Sequence, residues 1–283
     1  MSQFKEVFAD NLSSVHFTGN LARIDFTSLV SGMDGSLQEE PNVRLIMDVQ
    51  QVIRLRDCLD TFVDRLQGKQ KTLENRYNPG IFNVHNIDEA KSIILTKEGQ
   101  DGSEERWRKE TPALISILRS VWNLHEGVTV VDYGCGIGRI AKELCKFGCK
   151  VIGVDISSQM RELAIQYVAD THFSVVSPQE FVSMIDSGFI CDYACAIWVL
   201  QHCLKPEQDL TNIKTALKRG GELFVVNNKF SRAVPVVDKV WQDDKIDIWK
   251  MLADNLWQVQ LLDFPEDVGV DARCFQCGFY KRY

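Results

Sequence analysis

Apolar and polar positions follow two different patterns along the 283-residue chain. In the first part, the runs 14–17, 22–29 and 42–47 are short, apolar-rich and partly alternating, a pattern that predicts strands. From Val49 to Leu66, apolar residues recur at helical spacing. We therefore predict a small α+β domain over residues 1–75. Such a small unit is more stable when it packs on a neighbour, so we expect an accessory role or a homo-oligomer formed through this domain.

A polar stretch separates this part from a region with a different pattern of apolar positions. The run QGKQKTLENRYNPG has no apolar period and contains Pro79 and Gly80, so we interpret residues 76–103 as a linker. From residue 104 onward, strand-like runs alternate with helical runs. The predicted strands are 129–133, 150–155, 173–177, 192–197 and 222–227, and the predicted helices are 104–122, 137–147, 158–169, 178–186 and 206–218. This alternation predicts a doubly wound α/β domain with a mostly parallel sheet over residues 104–283.

The last part of the chain breaks the alternation. A helix is predicted for residues 236–255, followed by strands at 257–264 and 273–280 with no helix between them. Consecutive strands without a crossover helix pair as an antiparallel hairpin, which we expect at the edge of the sheet.

Composition narrows the class of protein. Hydrophobic residues make up 45% of the chain, and the net charge of −7 without a basic block argues against a nucleic-acid partner. The start MSQFKEVFAD has no targeting signal, and no apolar run is long enough to span a membrane. The nine cysteines indicate free thiols rather than a disulfide framework. We therefore expect a cytoplasmic globular protein.

Two cysteines suggest a zinc site at first sight. Cys274 and Cys277 form a C-x-x-C pair, but residues three apart in a strand point to opposite faces, and no second pair has this spacing. The five histidines are dispersed along the chain. We predict no metal site.

The clearest chemical signal is a glycine turn followed by an acid. The run DYGCGIG joins a predicted strand to a helix, and Asp155 ends the next strand, 21 residues after Gly134. At this edge of a doubly wound sheet, glycines let a ligand approach the backbone and a carboxylate can bind both hydroxyls of a ribose. Together the two features predict a nucleoside site.

Two nucleoside ligands compete for this site. A nicotinamide dinucleotide prefers G-x-G-x-x-G, whose third glycine would fall where the chain has Arg139. Asp132, just before the glycines, would repel a pyrophosphate by several kcal/mol at roughly 4 Å but would attract a cationic amino group. The acid therefore favours an aminoacyl nucleoside.

The run DYGCGIG followed by VIGVDISSQM resembles the motifs of class I S-adenosylmethionine-dependent methyltransferases, over about residues 104–283. The resemblance implies a seven-stranded sheet with a reversed last strand, S-adenosylmethionine as cofactor and methyl transfer as activity. The residues implied for the methionine moiety are Asp132 and the backbone of Gly134, Cys135 and Gly136.

The same resemblance implies contacts for the nucleoside end of the cofactor. Asp155 would bind the ribose, and Ile156 and Met160 would pack on the adenine. Where the family often has an aspartate near the adenine amino group, this chain offers Ser177 or Gln179.

Further side chains are candidates for the reacting end. Trp198 falls where the cofactor and acceptor pockets of the family meet, and an aromatic face attracts a sulfonium. Trp107, with Arg106, closes over the cofactor in many relatives. His202 is the candidate base for an acceptor that carries a proton, and Tyr133 either packs structurally or lines the pocket.

The acceptor is not encoded in these motifs. The N/D-P-P-Y/F signature of enzymes that methylate DNA bases is absent after the fourth strand, where Ala-Ile-Trp-Val stands. We expect residues 227–255 to cap the pocket and the acceptor to be a small molecule, with a protein acceptor next. Two alternatives stay open: a non-catalytic S-adenosylmethionine sensor and a nucleotide-dependent oxidoreductase.

Overall fold

The computed structural model describes residues 7, 9–31, 36–52, 55–56, 59, 73–96, 102–237, 240–268 and 272–283. The chain divides into two compact units, residues 1–72 and 73–283. The first contains a three-stranded sheet, and the second contains a seven-stranded sheet and a two-stranded ribbon.

The first unit contains three antiparallel strands, each paired with its neighbour in sequence. They are β1 (Asn11–Thr18), β2 (Leu21–Ser31) and β3 (Leu37–Asp48). The three predicted strands are therefore confirmed. Of the helix predicted between Val49 and Leu66, residues 49–52, 55, 56 and 59 are helical, and its other positions lie outside the described residues.

The segment interpreted as a linker, residues 76–103, is structured over most of its described length, which differs from the expectation. It contains the end of helix α1 (Leu73–Arg76), a 3₁₀ turn (Pro79–Phe82) and helix α2 (Ile87–Ile94). The side chain of Asn78 accepts a hydrogen bond from Gly80 N, and that of Asn86 accepts one from Glu89 N. Asparagines satisfy free N–H groups at helix starts, so residues that suggested a linker act as caps.

The second unit alternates helices and strands as predicted. Its helices are α3 (Ser103–Val121), α4 (Arg139–Cys145), α5 (Ser158–Val168), α6 (Pro178–Asp186) and α7 (Pro206–Ala216). Its strands are β4 (Thr129–Tyr133), β5 (Lys150–Val154), β6 (Phe173–Val176), β7 (Cys191–Ile197) and β8 (Leu217–Asn228). These strands are parallel in the order β6–β5–β4–β7–β8. The doubly wound class is therefore confirmed.

The end of the chain completes the sheet. It contains the ribbon strands β9 (Val234–Val236) and β10 (Val240–Gln242), helix α8 (Ile248–Asn255) and strands β11 (Trp257–Asp263) and β12 (Phe275–Lys281). Strand β12 lies antiparallel between β8 and β11, so the reversed last strand is confirmed. The helix predicted for residues 236–255 is wrong in its first half, because the β-branched Val234, Val236 and Val240 favour extended backbone.

Helices cover both faces of the seven-stranded sheet. Leu118 and Leu144 pack on one face, and Phe181, Leu210 and Leu252 pack on the other. The central strand β4, with β5 and β7 on either side, is therefore held rigidly. Within the described ranges, none of the helices combines the length and apolar character needed to cross a lipid bilayer.

Candidate functional site

A cleft of about 310 Å³ opens at the edge of the sheet where β4, β5 and β7 end. The connections after β4 and β7 leave in opposite directions at this edge, and doubly wound sheets bind ligands there. Its volume is within the range of small-molecule sites. The predicted site residues that line it are Tyr133, Gly134, Gly136, Asp155, Ile156, Met160, Gln179, Trp198 and His202.

The glycine turn presents bare backbone to the cleft. Gly134 and Gly136 have φ angles of +73° and +54°, a left-handed conformation that residues with a Cβ rarely adopt. A Cβ on Gly134 would lie 2.3 Å from Val199 Cγ2, and one on Gly136 would lie 2.6 Å from Ile94 Cδ1. Both positions therefore need glycine for conformation and for space.

Asp155 connects the end of β5 to this turn. Its Oδ2 accepts a hydrogen bond from Gly136 N at 2.8 Å, and its Oδ1 accepts one from Ser157 N at 2.9 Å. Burial raises the pKa of the Asp155 carboxyl, although both bonds act in the opposite direction. Each carboxylate oxygen can accept a second hydrogen bond, so the residue offers a desolvated acceptor beside the turn.

Asp132 lies beneath the turn and does not line the cleft. The residue is 3% exposed, its Oδ2 accepts a hydrogen bond from Ala141 N at 3.2 Å, and the Cys195 thiol donates to Oδ1 at 3.4 Å. Burial raises the pKa of Asp132 to about 6. The sequence predicted a contact with the methionine moiety, whereas the structure places the Asp132 carboxylate under the backbone of the turn.

The predicted adenine contacts form one wall of the cleft. Ile156, Met160 and Gln179 line this wall. Ser177 is instead the cap of α6, because its Oγ accepts a hydrogen bond from Glu180 N at 3.2 Å and its N donates to Glu180 Oε2 at 2.6 Å. Of the two alternatives for the polar contact, Gln179 therefore faces the cleft.

Trp198 lines the cleft in a strained backbone conformation. It follows β7 with a φ angle of +60°, which costs a non-glycine residue about 1–3 kcal/mol. Its indole Nε1 donates to Glu110 Oε1 at 2.7 Å, and its ring meets the rings of Phe264 and Phe275 edge-on, with centroids 5.3 and 4.9 Å away. These contacts hold the strained residue in place.

Glu110 is the centre of a buried ionic cluster that the sequence analysis missed. Its carboxylate lies 3.0 Å from guanidinium nitrogens of both Arg106 and Arg139, and the three side chains are at most 4% exposed. Arg139 is the first residue of α4, directly after the glycine turn. The spacing of four between Arg106 and Glu110 was the available signal, because it puts both on one helix face. The cluster ties α3 to the turn and to the end of β7.

Two residues predicted to contact the cofactor lie behind the cleft. Trp107 is 7% exposed, packs in one apolar cluster with Met160, and donates from Nε1 to Tyr167 Oη at 3.3 Å. The side chain of Cys135 is buried, and its backbone N–H donates to Val154 O at 3.1 Å. Trp107 therefore supports the cleft wall, and Cys135 contributes backbone geometry.

His202 lines the cleft as a neutral ring with both nitrogens engaged. Its Nδ1 lies 2.6 Å from Ala233 O, to which it donates, and its Nε2 lies 3.1 Å from Gln201 Nε2. Gln201 Oε1 accepts from Asn228 N at 2.8 Å, which directs the Gln201 amide nitrogen at the His202 Nε2 lone pair. Burial lowers the pKa of His202 to about 4. To act as a base, His202 would have to exchange its bond with Gln201.

A second group of residues that line the cleft was not assigned by the sequence analysis. They are Tyr77, Phe82, Cys203, Leu204, Lys205 and Asp209. Tyr133 joins them and also packs structurally, because its ring meets Phe181 edge-on at 5.9 Å while its hydroxyl donates to Asp209 Oδ1 at 2.5 Å. Tyr133 and Asp209 are 76 residues apart in the chain, so no local spacing connects them.

The two cysteines of the C-x-x-C pair have different surroundings, since Cys274 is exposed and Cys277 is buried in β12. In the part of the chain that the structure describes, no three His, Cys, Asp or Glu side chains converge as metal ligands do.

The second unit is a doubly wound α/β domain with a cleft at the edge of its sheet, and comparisons with known proteins show what this domain resembles. Residues 131–225 match the family model described as a methyltransferase domain. The structure is similar to that of magnesium protoporphyrin IX methyltransferase from Synechocystis with bound SAH. The TM-score is 0.51 at 17% identity, and the match covers 72% of this chain and 97% of that chain. At this identity the likeness shows the fold alone.

Curated relatives match part of the chain at low identity. A ubiquinone biosynthesis O-methyltransferase of Coxiella burnetii is 27% identical over 108 residues, which cover 37% of this chain and 46% of that protein. A sterol 4-C-methyltransferase of Caenorhabditis elegans is 31% identical over 107 residues, 36% of this chain and 31% of that protein. The chain thus spans less than half the length of these relatives. The resemblance to methyltransferases that the motifs indicated is therefore confirmed for residues 131–225.

Removal of the Glu110 carboxylate is expected to destabilise the protein strongly. Glu110→Ala leaves two guanidinium groups buried without this partner, which costs about 3–5 kcal/mol in the free energy of unfolding. Urea unfolding followed by circular dichroism measures the loss. Glu105→Ala is the matched control on the same helix, because exposed pairs such as Glu105 with Arg108 contribute about 0–1 kcal/mol. Equal losses in the two variants would contradict the central role of Glu110.

The lowered pKa of His202 predicts that stability depends on pH. Between pH 6.5 and about 4, the unfolded chain binds a proton at this histidine and the folded protein does not. The free energy of unfolding therefore falls as the pH is lowered through this window, by roughly 3 kcal/mol at most. Buried aspartates with raised pKa values act in the opposite sense, so the effect is measured as a difference between variants.

Urea titrations across this pH window test the assignment. His202→Gln should remove the acid loss relative to the wild type, whereas His172→Gln at an exposed position should keep it. If the two variants gave the same pH profile, His202 would not be the group responsible.

Proposed function

We propose that the protein binds S-adenosylmethionine in the cleft and transfers its methyl group to a small-molecule acceptor. The observation that carries this proposal is the hydrogen bond of 2.8 Å between Asp155 Oδ2 and Gly136 N. This bond places a carboxylate for a ribose directly beside a backbone without side chains, on which the aminoacyl part of the ligand could lie.

The residues of the cleft fit the chemistry of this cofactor. Asp155 has acceptor capacity left for two ribose hydroxyls, and a Cβ at Gly134 or Gly136 would collide with Val199 or Ile94, which line the same cleft. Ile156 and Met160 offer apolar contacts for an adenine. When bound, S-adenosylmethionine would supply an electrophilic methyl carbon on a cationic sulfur. The ring of Trp198 would add about 0.5–2 kcal/mol of cation–π attraction for such a charge.

The charges around the turn argue against a dinucleotide in this cleft. Arg139 is the cation nearest in sequence to the glycines, but its guanidinium is buried against Glu110. The carboxylates of Asp132 and Asp155 add negative charge under and beside the turn. A pyrophosphate would therefore meet repulsion without a free cation from this turn, which disfavours the oxidoreductase alternative.

Transfer to a small molecule is favoured over a sensor role by the rest of the cleft lining. The cleft also contains Tyr77 and Phe82, which a protein that only binds the cofactor does not need. The relatives named above act in ubiquinone biosynthesis and on sterols, which supports the same class of acceptor.

We keep the cytoplasm as the proposed location, because the eight described cysteines are free thiols. The homo-oligomer through residues 1–75 stays a prediction.

Isothermal titration calorimetry with S-adenosylhomocysteine tests the binding site. We expect Asp155→Asn to weaken binding about 10- to 100-fold, because charge-assisted hydrogen bonds to the ribose contribute about 1.5–3 kcal/mol each. Asp186→Asn, on the exposed end of α6, is the matched control and should bind as the wild type does. Tighter binding of NAD than of S-adenosylhomocysteine, or equal affinity in the two variants, would overturn the assignment.

Incubation of the protein with methyl-labelled S-adenosylmethionine and a cell extract tests the transfer. We expect label in the low-molecular-weight fraction, in amounts that fall at least 10-fold with Asp155→Asn because the cofactor is no longer held. Label confined to proteins would replace the small-molecule acceptor by a protein acceptor. Binding of S-adenosylhomocysteine without any transfer of label would support the sensor.

A further inference from the structure

The end of the cleft lined by Tyr133, Tyr77 and Cys203 contains a carboxylate that has no assigned role. Asp209 lies in the first turn of α7 and lines the cleft. Its Oδ1 accepts the hydrogen bond from the Tyr133 hydroxyl at 2.5 Å, whereas the Cys203 thiol donates to Val199 O at 3.5 Å. The carboxylate is thus held by a donor that lines the same cleft and has an acceptor oxygen left.

Asp209 is not needed to start its helix. The cap of α7 is Lys205, which makes no capping bond through its side chain, and the Asp209 backbone N–H donates to Lys205 O at 3.1 Å. The side chain therefore faces the cleft instead of the free N–H groups of α7. Burial raises the pKa of Asp209, which makes its carboxylate a stronger base than an exposed one.

The groups around Asp209 set the charge at this end. Three side chains face the Asp209 carboxylate: Tyr133 from β4, Cys203 from the loop before α7 and Tyr77 from the segment before α2. The positive charge of Arg232, in the loop after β8, also acts on this carboxylate. Arg232 is itself paired with Asp244 at 2.7 Å. None of the first three carries a charge near neutral pH, because burial raises the pKa of each.

Charge at this end of the cleft disfavours an anionic acceptor. Among the described residues that line the cleft, Lys205 carries the sole permanent positive charge, and its Nζ lies 2.7 Å from Glu74 Oε1 at the exposed rim. The walls here are the rings of Tyr77 and Phe82. A neutral molecule with an aromatic ring therefore fits better than a phosphate or a carboxylate.

A fixed base identifies the kind of atom that is methylated. A neutral amine can attack a methyl group before it loses a proton, whereas a hydroxyl is a weak nucleophile until its proton is removed. A phenol, with a pKa near 10 as in tyrosine, is within reach of a buried carboxylate.

We propose that Asp209 is the proton acceptor for a phenolic hydroxyl that binds beside its carboxylate in the cleft, so that the reaction is O-methylation of a neutral phenol. This proposal rests on the methyl transfer proposed above. The O–H bond of the phenol breaks and its proton passes to the Asp209 carboxylate. The oxygen lone pair forms the bond to the methyl carbon, and the sulfur–carbon bond breaks with both electrons left on sulfur. The products are a methyl ether, a neutral thioether and a protonated Asp209.

A binding measurement with a chromophoric phenol tests the contact without turnover. We use 4-nitrophenol, whose neutral and ionised forms absorb at different wavelengths, with protein saturated in S-adenosylhomocysteine. Because the Asp209 carboxylate accepts the hydrogen bond and repels a second negative charge, the bound probe should stay neutral at a pH where the free probe ionises. Asp209→Asn should abolish this shift, and Glu207→Gln, an exposed acid of the same helix turn, should leave it unchanged.

Turnover of catechol supplies the second readout. Asp209→Asn should lower kcat about 100-fold or more with little change in the affinity for S-adenosylhomocysteine, and Asp209→Glu should restore part of the rate. Retained binding of S-adenosylhomocysteine shows that the variants fold.

The outcomes separate this proposal from the one on which it rests. A wild-type protein that does not bind S-adenosylhomocysteine refutes the proposed function itself. A protein that binds it, but gives the same 4-nitrophenol spectrum and the same rate with and without the Asp209 carboxylate, refutes only the role of Asp209. Failure to bind 4-nitrophenol at millimolar concentration, or faster methylation of an aniline than of catechol, refutes the phenol as acceptor class.

Discussion

The buried carboxylate of Glu110 is the interaction on which the geometry of the cleft depends. It joins Arg106 of its own helix, Arg139 at the exit of the glycine turn and the indole of Trp198 at the end of β7. Each of these groups would be costly to bury alone, and a shared partner lets all of them remain desolvated. The cluster therefore fixes the position of the turn relative to the one strained aromatic residue described in the cleft wall.

The same cluster explains why Trp198 keeps its left-handed backbone. A bulky residue leaves such a conformation unless its surroundings determine it from several sides. Here the backbone N–H donates to Val226 O at 2.9 Å, the indole donates to Glu110, and Phe264 and Phe275 enclose the ring. The left-handed backbone directs the indole to Glu110 and to the two phenylalanine rings, whereas a purely extended strand end would direct the side chain elsewhere.

The fold could be predicted from the sequence because its signals are local. Apolar runs such as Thr129–Tyr133, and the acid at the end of β5, lie within a few residues of the strands and the site that they predict. The errors in the predicted fold occurred where composition or apolar spacing alone was used to assign an element. Asn78 and Asn86 were interpreted by composition as linker residues, although their side chains cap helices, and Val236 and Val240 of the ribbon were counted into a helix because apolar spacing alone does not distinguish the two.

The site could be predicted only as far as its motifs extend. The glycine turn and Asp155 are adjacent on neighbouring strands, so their meeting followed from the topology. Glu110 supports the cleft through Trp198, 88 residues away in the chain, and Asp209 contacts Tyr133, 76 residues away, and no single-sequence spacing reports such contacts. The choice between Ser177 and Gln179 likewise needed the hydrogen bonds of the α6 cap.

Three aspartates determine which charge the cleft favours. Burial raises the pKa of Asp132, Asp155 and Asp209. In the protein without a ligand, ionisation of each of these carboxyls therefore costs free energy. A cation bound among them would recover part of that cost, whereas a pyrophosphate would add to it. A proton released from an acceptor would recover it as well, because it neutralises one of the three. Binding of a cationic cofactor and uptake of a proton at Asp209 are therefore favoured by the same excess of buried negative charge.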